Sequence, residues 1–377
     1  MKTWMLMPDS FKGTMSSAEI CQCMRAQILR YVPDAEVISI PVADGGEGSV
    51  ECFLEAMGGQ KVEAEVYGPL GTWMTAHYGI VSQHTAIIEM AACAGLPLVE
   101  GHQDPEKTTT FGVGQLMLDA VKRGCRKIIV GLGGSCTNDG GAGAASACGA
   151  KFYDAEGRAF TPVGGTLNHI ARVDLSGLKT QLKGIELVAM CDIDNPLCGP
   201  QGAAAVFGPQ KGADGAMVAR LDEGLCHLAE VVQRDTGCDA MNVPGAGAAG
   251  GMGYGMLACF GAKLQMGIET VLDTVSFETL AQRADIILTG EGRMDGQSLR
   301  GKVVMGIARR AKPLGVPVVA VVGDIGDDIT PAYEQGVTGI FSINRVAQDF
   351  EKVKARSKSD LALTMDNLVR FCVSMGL

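Results

Sequence analysis

A glycine-rich segment, Gly131–Gly143, directly follows the apolar run Ile128–Val130 and holds six glycines together with Ser, Thr, Asn and Asp. Glycine loses more backbone freedom on folding than any other residue, so this composition indicates positive φ angles and close approach of bare amides to a ligand. Amides in such a loop, or at the start of the helix predicted at Gly141–Cys148, bind phosphate or carboxylate groups. The alternative is a tight strand-to-helix connection without a ligand.

Loops after several other predicted strands carry carboxylates and cations. They hold Asp9, Ser10 and Lys12 after the first strand, Asp44 and Glu47 after the second, and Glu291, Arg293 and Asp295 after the third. Because the carboxyl ends of parallel strands lie at one edge of a sheet, we expect these loops to converge. Magnesium-dependent phosphoryl transfer requires such a set, since Mg²⁺ takes one or two carboxylates with phosphate oxygens, and Lys or Arg neutralises the transferred group. For each carboxylate alone, a helix cap or a solvated turn is the alternative.

Two segments in the middle of the chain offer the same chemistry. Asp192 and Asn195 follow the predicted strand Leu187–Met190, and Lys211 lies in the turn FGPQKG. We expect these side chains to face the charged loops across a cleft between two domains, because interdomain clefts are favoured sites for small molecules.

Composition and charge exclude several classes of protein. The net charge of −10, without a cluster of Lys and Arg, argues against a nucleic-acid partner. No apolar run reaches the roughly 18 residues of a membrane helix, and the first residues do not resemble a signal peptide. The thirteen cysteines contain no CxxC pair, which predicts neither a disulfide framework nor a zinc site. We therefore expect a cytoplasmic protein that acts on small molecules, with no membrane partner.

Hydrophobic periodicity predicts alternating strands and helices at both ends of the chain. The predicted strands are Thr3–Met7, Val37–Val42, Ile286–Thr289, Val316–Val322 and Gly339–Ile343. The pair Ser16 and Glu19 predicts a capping box at the start of the first helix. This alternation is typical of a doubly wound parallel sheet with helices on both faces.

The middle of the chain has a different pattern. Val62–Val66, Thr75–Val81 and Thr85–Met90 are predicted as successive strands, and the helix Thr109–Gly124 follows them. At 377 residues the chain is long enough for two domains. We predict one domain formed by residues 1–60 and 285–377 and a second α/β domain, residues 61–284, inserted into it, with the active site in the cleft between them.

Two short motifs suggest other nucleotide sites only weakly. Gly245–Gly250 satisfies G-x-G-x-x-G, but the residues before it are a poor strand and no βαβ frame surrounds it. Gly296–Lys302 resembles a Walker A loop that lacks its final Ser or Thr, and it starts well after the preceding strand has ended. Neither motif predicts a dinucleotide or P-loop site by itself.

Seven segments together resemble the glycerate kinase type 1 family. They are PDSFKGTMSS (8–17), PVADGGEGS (41–49), YGPLGT (67–72), GLGGSCTNDGGAG (131–143), CDIDNPLCGPQGAAAVFGPQKGA (191–213), PGAGAAGGMGYG (244–255) and ADIILTGEGRMDGQSLRGKV (284–303). They span nearly the whole chain in order, and several are long and unusual in composition. Cys136, where the family usually has Ala, and Met15, where it usually has Leu, are departures that we interpret as packing substitutions.

The resemblance implies an ATP-dependent kinase that acts on D-glycerate and usually forms 2-phosphoglycerate. In the family this reaction serves bacterial routes that degrade glucarate, galactarate or glyoxylate. The resemblance also implies a flavodoxin-like α/β domain with a second α/β domain inserted into it, in agreement with the predicted strands. The implied cofactors are ATP and Mg²⁺.

Residue roles follow from chemistry rather than from the family name. We expect Lys12, Arg293 and Asp192 to be catalytic: the two cations would contact phosphate or the glycerate carboxylate, and Asp192 would accept a proton or bind metal. Asp295 and Glu291 are the candidates for a metal site. The candidates for binding substrate or phosphate are Asp9, Ser10, Asp44, Glu47, Gly133, Gly134, Ser135, Thr137, Asn138, Asp139, Asn195, Lys211 and Glu291.

Two other functions stay open on the sequence. One is a dinucleotide-dependent oxidoreductase of small hydroxy acids, based on Gly245–Gly250, and the other is a regulator that binds a metabolite without catalysis. Physical reasoning does not choose between the 2- and 3-hydroxyl of glycerate as acceptor, nor does it assign ATP to one domain. A homo-oligomer is compatible with the sequence.

Overall fold

Strands and helices alternate along the computed structural model, which describes residues 2–43, 46, 48–81, 84–296 and 298–376. The strands are β1 (Thr3–Pro8), β2 (Glu36–Ser39), β3 (Gly59–Tyr67), β4 (Trp73–Val81), β5 (Thr85–Glu89), β6 (Lys127–Gly131), β7 (Lys151–Tyr153), β8 (Ala159–Phe160), β9 (Arg172–Asp174), β10 (Glu186–Met190), β11 (Lys263–Gln265), β12 (Ile286–Gly290), β13 (Arg293–Met294), β14 (Val318–Val322), β15 (Asp324–Ile325) and β16 (Val337–Ser342).

The helices connect and cover these strands. They are α1 (Ser17–Tyr31), α2 (Ser49–Met57), α3 (Ala91–Ala94), α4 (Phe111–Lys122), α5 (Ala142–Ala147), α6 (Ser176–Gln181), α7 (Ala203–Phe207), α8 (Gly215–Thr236), α9 (Ala248–Ala258), α10 (Gly267–Thr274), α11 (Phe277–Ala281), α12 (Val303–Ala311), α13 (Pro331–Glu334), α14 (Phe350–Val353) and α15 (Ser357–Ser374).

The chain divides into two compact units. The first unit comprises Met1–Asp44, Glu55–Met57 and Ile268–Leu377, and the second comprises Gly45–Leu54 and Gly58–Gly267. Apart from Glu55–Met57, the chain leaves the first unit near residue 44 and returns to it at residue 268, whereas sequence analysis placed these crossings near 61 and 284. The predicted cleft stays a prediction, and the predicted site residues Asp44 and Glu47 lie outside the described residues.

The first unit contains a five-stranded parallel sheet with the order β2-β1-β12-β14-β16. Numbered within the unit this is 2-1-3-4-5, the strand order of flavodoxin-like folds. Every residue of β1, β12 and β14 is buried, because helices cover both faces of a sheet of this kind. The predicted α/β fold with a parallel sheet is confirmed.

Helix α1 shows how the sequence builds this unit. Ser16 accepts a hydrogen bond from the Glu19 amide and the Glu19 carboxylate accepts one from the Ser16 amide, which confirms the predicted capping box. The helix buries Ile20, Met24 and Ile28 against one face of the sheet. Side chains of α15 complete the same core.

The second unit contains a six-stranded sheet with the order β11-β10-β6-β5-β4-β3. Strands β5, β6, β10 and β11 are parallel, whereas β3 and β4 form an antiparallel hairpin at one side. The register places Glu89, Gly131 and Met190 side by side at the carboxyl ends of three neighbouring strands. The loops that follow them therefore start from one edge of this sheet.

Two glycine-rich segments pack backbone against backbone in the second unit. A Cβ atom at Gly250 would overlap the Thr137 carbonyl oxygen, and one at Gly255 would press on Gly140. Ala249, Gly250 and Gly251 all have positive φ and interrupt the start of α9. The match to G-x-G-x-x-G at Gly245–Gly250 thus lies in a packed helix start without the preceding strand of a dinucleotide fold, and the oxidoreductase alternative loses its structural support.

Candidate active site

The first candidate cluster lies where the strand order of the first unit reverses, between β1 and β12. Pro8 pairs with Gly290, and the next amide along, that of Asp9, donates to the Gly290 carbonyl oxygen at 2.8 Å. Asp9 and Glu291 are therefore neighbours at the carboxyl edge of the sheet. Ligands of open parallel sheets bind at this topological position.

Glu291 is the most perturbed carboxylate of this cluster. Its side chain is only 6% exposed, and its Oε1 atom has no hydrogen-bond partner among the described residues. Burial, reinforced by the negative charges of Asp9 and Asp295, raises the pKa of Glu291 to about 7, against the opposing effects of Ser298 and Lys302. Such a carboxylate exchanges a proton near neutral pH, as general bases do.

The predicted cations of this cluster are more exposed than its carboxylates. The Arg293 guanidinium lies 3.6 Å from the Asp295 carboxylate, with its side chain 64% exposed. Lys12 is exposed in a turn whose chain folds back between Phe11 and Met15. The Asp9 carboxylate accepts the Ser10 amide at 2.7 Å, which orients it at the end of β1. Asp9 and Glu291 follow neighbouring strands of the five-stranded sheet, whereas Arg293 lies in β13, which pairs with β15 in a separate two-stranded sheet. Sequence reasoning did not single out Glu291 as the buried carboxylate of this group.

The glycine-rich loop of the second unit carries an anion of its own. The fully buried Asp139 carboxylate accepts hydrogen bonds from the Thr110 amide at 2.7 Å and hydroxyl at 2.9 Å, and from the amides of Gly141 at 3.1 Å and Gly143 at 3.2 Å. These donors belong to the starts of α4 and α5. At the start of α5, where sequence analysis expected an external anion, the backbone amides therefore bind the Asp139 carboxylate of the chain itself. These hydrogen bonds stabilise the conformation of the loop.

A buried lysine lies under the same loop. Lys211 is 2% exposed, and its ammonium donates to the Ser135 hydroxyl oxygen at 2.8 Å and to the Thr137 carbonyl oxygen at 2.6 Å. Burial lowers the pKa of Lys211 to about 8, although Cys136 and Asp139 attract its charge. Of the remaining predicted loop residues, Gly133 is half-buried and Gly134 is exposed at a φ of +73°.

Polar atoms without partners cluster next to this lysine. Thr137 and Asn138 are completely buried, and within the described part of the chain Thr137 Oγ1, Asn138 Oδ1 and Asn138 Nδ2 have no hydrogen-bond partner. Buried polar groups in folded proteins are nearly always satisfied, by protein, water or ligand. These atoms are therefore available to something other than the chain.

Asp192 and Asn195 lie at the same edge of the second sheet. Asp192 is exposed just after β10, and its Oδ1 atom accepts the Gly267 amide at 2.7 Å, at the start of α10. Asn195 donates from Nδ2 to the Gln201 carbonyl oxygen at 2.8 Å. Because Met190 pairs with Gly131, Asp192 and the glycine-rich loop follow neighbouring strands.

The chain matches known proteins over almost its whole length. A sequence model of the glycerate kinase family matches residues 4–373. The chain belongs to the glycerate kinase family. The glycerate 2-kinase of Escherichia coli K12 is 45% identical over 338 residues, 89% of each chain. The glycerate kinase of Halalkalibacterium halodurans is 42% identical over 91% of each chain.

A solved structure gives the same result. The crystal structure of a putative glycerate kinase 2 from Salmonella typhimurium LT2 superposes with a TM-score of 0.88 at 39% identity, covering 99% of this chain and 98% of that one. The predicted resemblance to the glycerate kinase type 1 family and its α/β fold are confirmed at the level of the glycerate kinase family.

Two features of this glycerate kinase family member were missed by the sequence analysis. Glu89 ends the otherwise apolar strand β5 and accepts the Val50 amide at 2.8 Å, and Thr108 donates to the Cys136 carbonyl oxygen at 3.0 Å. The sequence signal for Glu89 was a glutamate at the end of an apolar strand, and the signal for Thr108 was the run of three threonines at Thr108–Thr110.

Across the described residues, no group of three or more His, Cys, Asp or Glu could hold a metal ion, and no helix is long and apolar enough to cross a membrane.

Proposed function

We propose that the chain transfers the γ-phosphoryl group of ATP to the 2-hydroxyl of D-glycerate and releases 2-phospho-D-glycerate and ADP. The observation that carries the proposal is membership of the glycerate kinase family over residues 4–373, together with a 45% identical relative named glycerate 2-kinase. The charge distribution of the two candidate clusters supports it, because each supplies a different part of the chemistry.

The acidic cluster of the first unit suits Mg²⁺ and the phosphates. Glu291 offers a buried carboxylate oxygen that has no hydrogen-bond partner in the described part of the chain, and Asp9 and Asp295 are near enough to raise its pKa. Glu291 and Asp295 would hold the ion, which takes only one or two protein carboxylates and fills its other positions with phosphate and water. Mg²⁺ would neutralise charge on the transferred phosphoryl group.

The cations of the first unit complete the phosphate site in this proposal. Lys12 and Arg293 are exposed and would contact phosphate oxygens, and Arg293 is held near the cluster by Asp295. Their positive charge would stabilise the transition state more than the ground state, since negative charge is being redistributed on the transferred group.

The second unit would bind the acid and its hydroxyl in this proposal. Asp192 would accept the proton of the attacking hydroxyl, with the Gly267 amide fixing the direction of its carboxylate. The loop Gly131–Gly143 follows the neighbouring strand and would hold the acid. That both units serve one reaction is part of the proposal.

The proposed setting of the reaction is a reducing cytoplasm. All thirteen cysteines are free thiols, which suits that compartment. There the kinase would phosphorylate the D-glycerate that forms when glucarate, galactarate or glyoxylate is degraded.

A coupled assay of ADP release tests the function. Purified protein with ATP, Mg²⁺ and D-glycerate should release ADP, and NMR of the product should show phosphate on carbon 2. Phosphate on carbon 3 would replace the 2-kinase by a 3-kinase. No ADP above background would reject the kinase, and D-glycerate binding under those conditions would favour a metabolite-binding regulator instead.

A further inference from the structure

Lys211 carries a buried positive charge for which the described residues supply no direct counter-ion. Its ammonium donates to two neutral oxygens, on Ser135 and Thr137. Asp139 attracts it electrostatically, but this pair is not within ion-pair distance, and the Asp139 carboxylate already accepts four hydrogen bonds. An isolated buried charge is strongly unfavourable, so an anionic ligand is the natural partner of this ammonium.

The hydrogen bond from Lys211 also orients Ser135. Because the Ser135 oxygen accepts a hydrogen bond from the ammonium, its own hydroxyl hydrogen points elsewhere and is available to a ligand. Ser135 is 6% exposed and follows the exposed Gly134, so it lies nearer to solvent than Lys211. Ser135 is then the contact residue, and Lys211 is a positioning residue that acts through it.

We infer that Ser135, backed by the Lys211 ammonium, is the receptor for the carboxylate of the substrate and makes the site selective for small acids over neutral polyols. The neighbouring unpartnered atoms of Thr137 and Asn138 supply donors and acceptors suited to the hydroxyl groups of such an acid. The identity of the acid as D-glycerate rests on the proposed function, whereas the receptor requires only a small carboxylic acid.

A carboxylate fits this receptor better than a nucleotide phosphate. Lys211 is only 2% exposed and Ser135 only 6%, so a ligand reaches the lysine charge through Ser135, and this favours a small planar group over a hydrated metal polyphosphate. Magnesium nucleotides also need protein carboxylates, and the carboxylate of this cluster, Asp139, is occupied by amides and a hydroxyl. The corresponding carboxylates, Glu291 and Asp295, lie in the first unit.

Calorimetric titration without ATP tests the receptor. Wild-type protein should bind D-glycerate and should bind glycerol, which lacks the carboxylate, at least ~100-fold more weakly. Lys211→Met should weaken D-glycerate binding by about 30-fold, since a charge-assisted hydrogen bond is lost. Lys61→Met, which removes an exposed lysine paired with Glu51, is the matched control and should leave binding unchanged.

A smaller substitution guards against misfolding of the Lys211 variant. Ser135→Ala removes one oxygen and should weaken D-glycerate binding by about tenfold. In steady-state assays both variants should raise KM for D-glycerate while KM for ATP stays within about threefold, a split that general disruption of the fold would not give. A raised KM for ATP with an unchanged KM for D-glycerate would overturn the inference and make this a phosphate site.

The two proposals fail in different ways. If no ADP forms but D-glycerate still binds through Lys211, the kinase proposal is rejected and the receptor stands. If ADP forms but both variants bind D-glycerate as the wild type does, or if wild type binds glycerol equally well, the receptor is rejected and the kinase stands.

Discussion

The two clusters bury opposite charges for the same physical reason. At the edge of the first sheet Glu291 is buried among carboxylates, and its pKa rises to about 7. Under the loop of the second sheet Lys211 is buried among neutral oxygens, and its pKa falls to about 8. In both cases burial is the largest cause, and it penalises the charged form.

The two clusters differ in the sign of the partner that each buried charge is missing. Asp139 shows how this chain compensates a buried charge, since four hydrogen bonds to its carboxylate oppose the burial that raises its pKa. Glu291 and Lys211 are left incompletely compensated, and the missing partners have opposite sign: a cation for the first and an anion for the second. Incompletely compensated groups of this kind cluster at functional sites.

The strongest test of this comparison is Glu291→Gln. We expect kcat to fall about 10³-fold, because the variant loses a carboxylate that binds metal or accepts a proton. At limiting Mg²⁺, wild-type activity should rise as the pH passes through about 7, because Glu291 must lose its proton before it binds metal or accepts a proton, and this limb should be absent in the variant. ADP release measured across pH reports both effects. Near-normal kcat in Glu291→Gln, with Glu51→Gln as the exposed control, would remove Glu291 from the active site.

Lys12→Ala and Asp192→Asn test one residue from each cluster. Each should lower turnover at least ~100-fold, about 3 kcal/mol of transition-state stabilisation, while leaving the fold intact. Circular dichroism and ADP release measure the two properties separately. A variant that is folded and fully active shows that the substituted residue is not part of the active site. If only Asp192→Asn stays active, another group accepts the proton, and Glu291 is the next candidate.

Much of the fold could be predicted because its signals are local. The buried strands β1, β12 and β14 are continuous apolar runs, and the α1 capping box needs only Ser16 and Glu19. Helix α8 was also readable, since its buried residues Leu221, Leu225, Leu228 and Val232 recur at helical spacing, although it was not predicted. The three-residue strand β11 gives too short a pattern to find.

The site was harder to predict because burial depends on distant contacts. The sequence placed Asp139 and Lys211 in loops as equal binding candidates. Asp139 is satisfied by Thr110, 29 residues away, while Lys211 reaches Ser135 from 76 residues away. No local pattern states which of two charged residues will find enough partners. The same holds for Glu291, whose pKa depends on Asp9 from the other end of the chain.

The comparison also predicts a conflict between stability and activity. Because the pKa of Glu291 is raised from 4.5 to about 7, the folded protein binds more protons than the unfolded chain between these values, so Glu291 costs stability as the pH rises through this range. Glu291→Gln should therefore raise the free energy of unfolding by about 3 kcal/mol near pH 8 and by close to zero near pH 4. Urea unfolding at both pH values measures this. Equal effects at the two values would mean that Glu291 is already compensated in the fold.

The smallest expected effect concerns the pH dependence of Lys211. Above about pH 8 the lysine loses its proton, so the affinity for D-glycerate should fall about tenfold per pH unit, or about 1.4 kcal/mol. Two titratable groups face it: burial raises the pKa of Cys136 to about 12, and burial also raises the pKa of Asp139, against the four hydrogen bonds that its carboxylate accepts. Titrations of wild type and Lys211→Met between about pH 7 and pH 10 measure this slope. A flat profile in the wild type would show that the lysine charge does not reach the acid, and the second cluster would then hold its ligand through neutral groups alone.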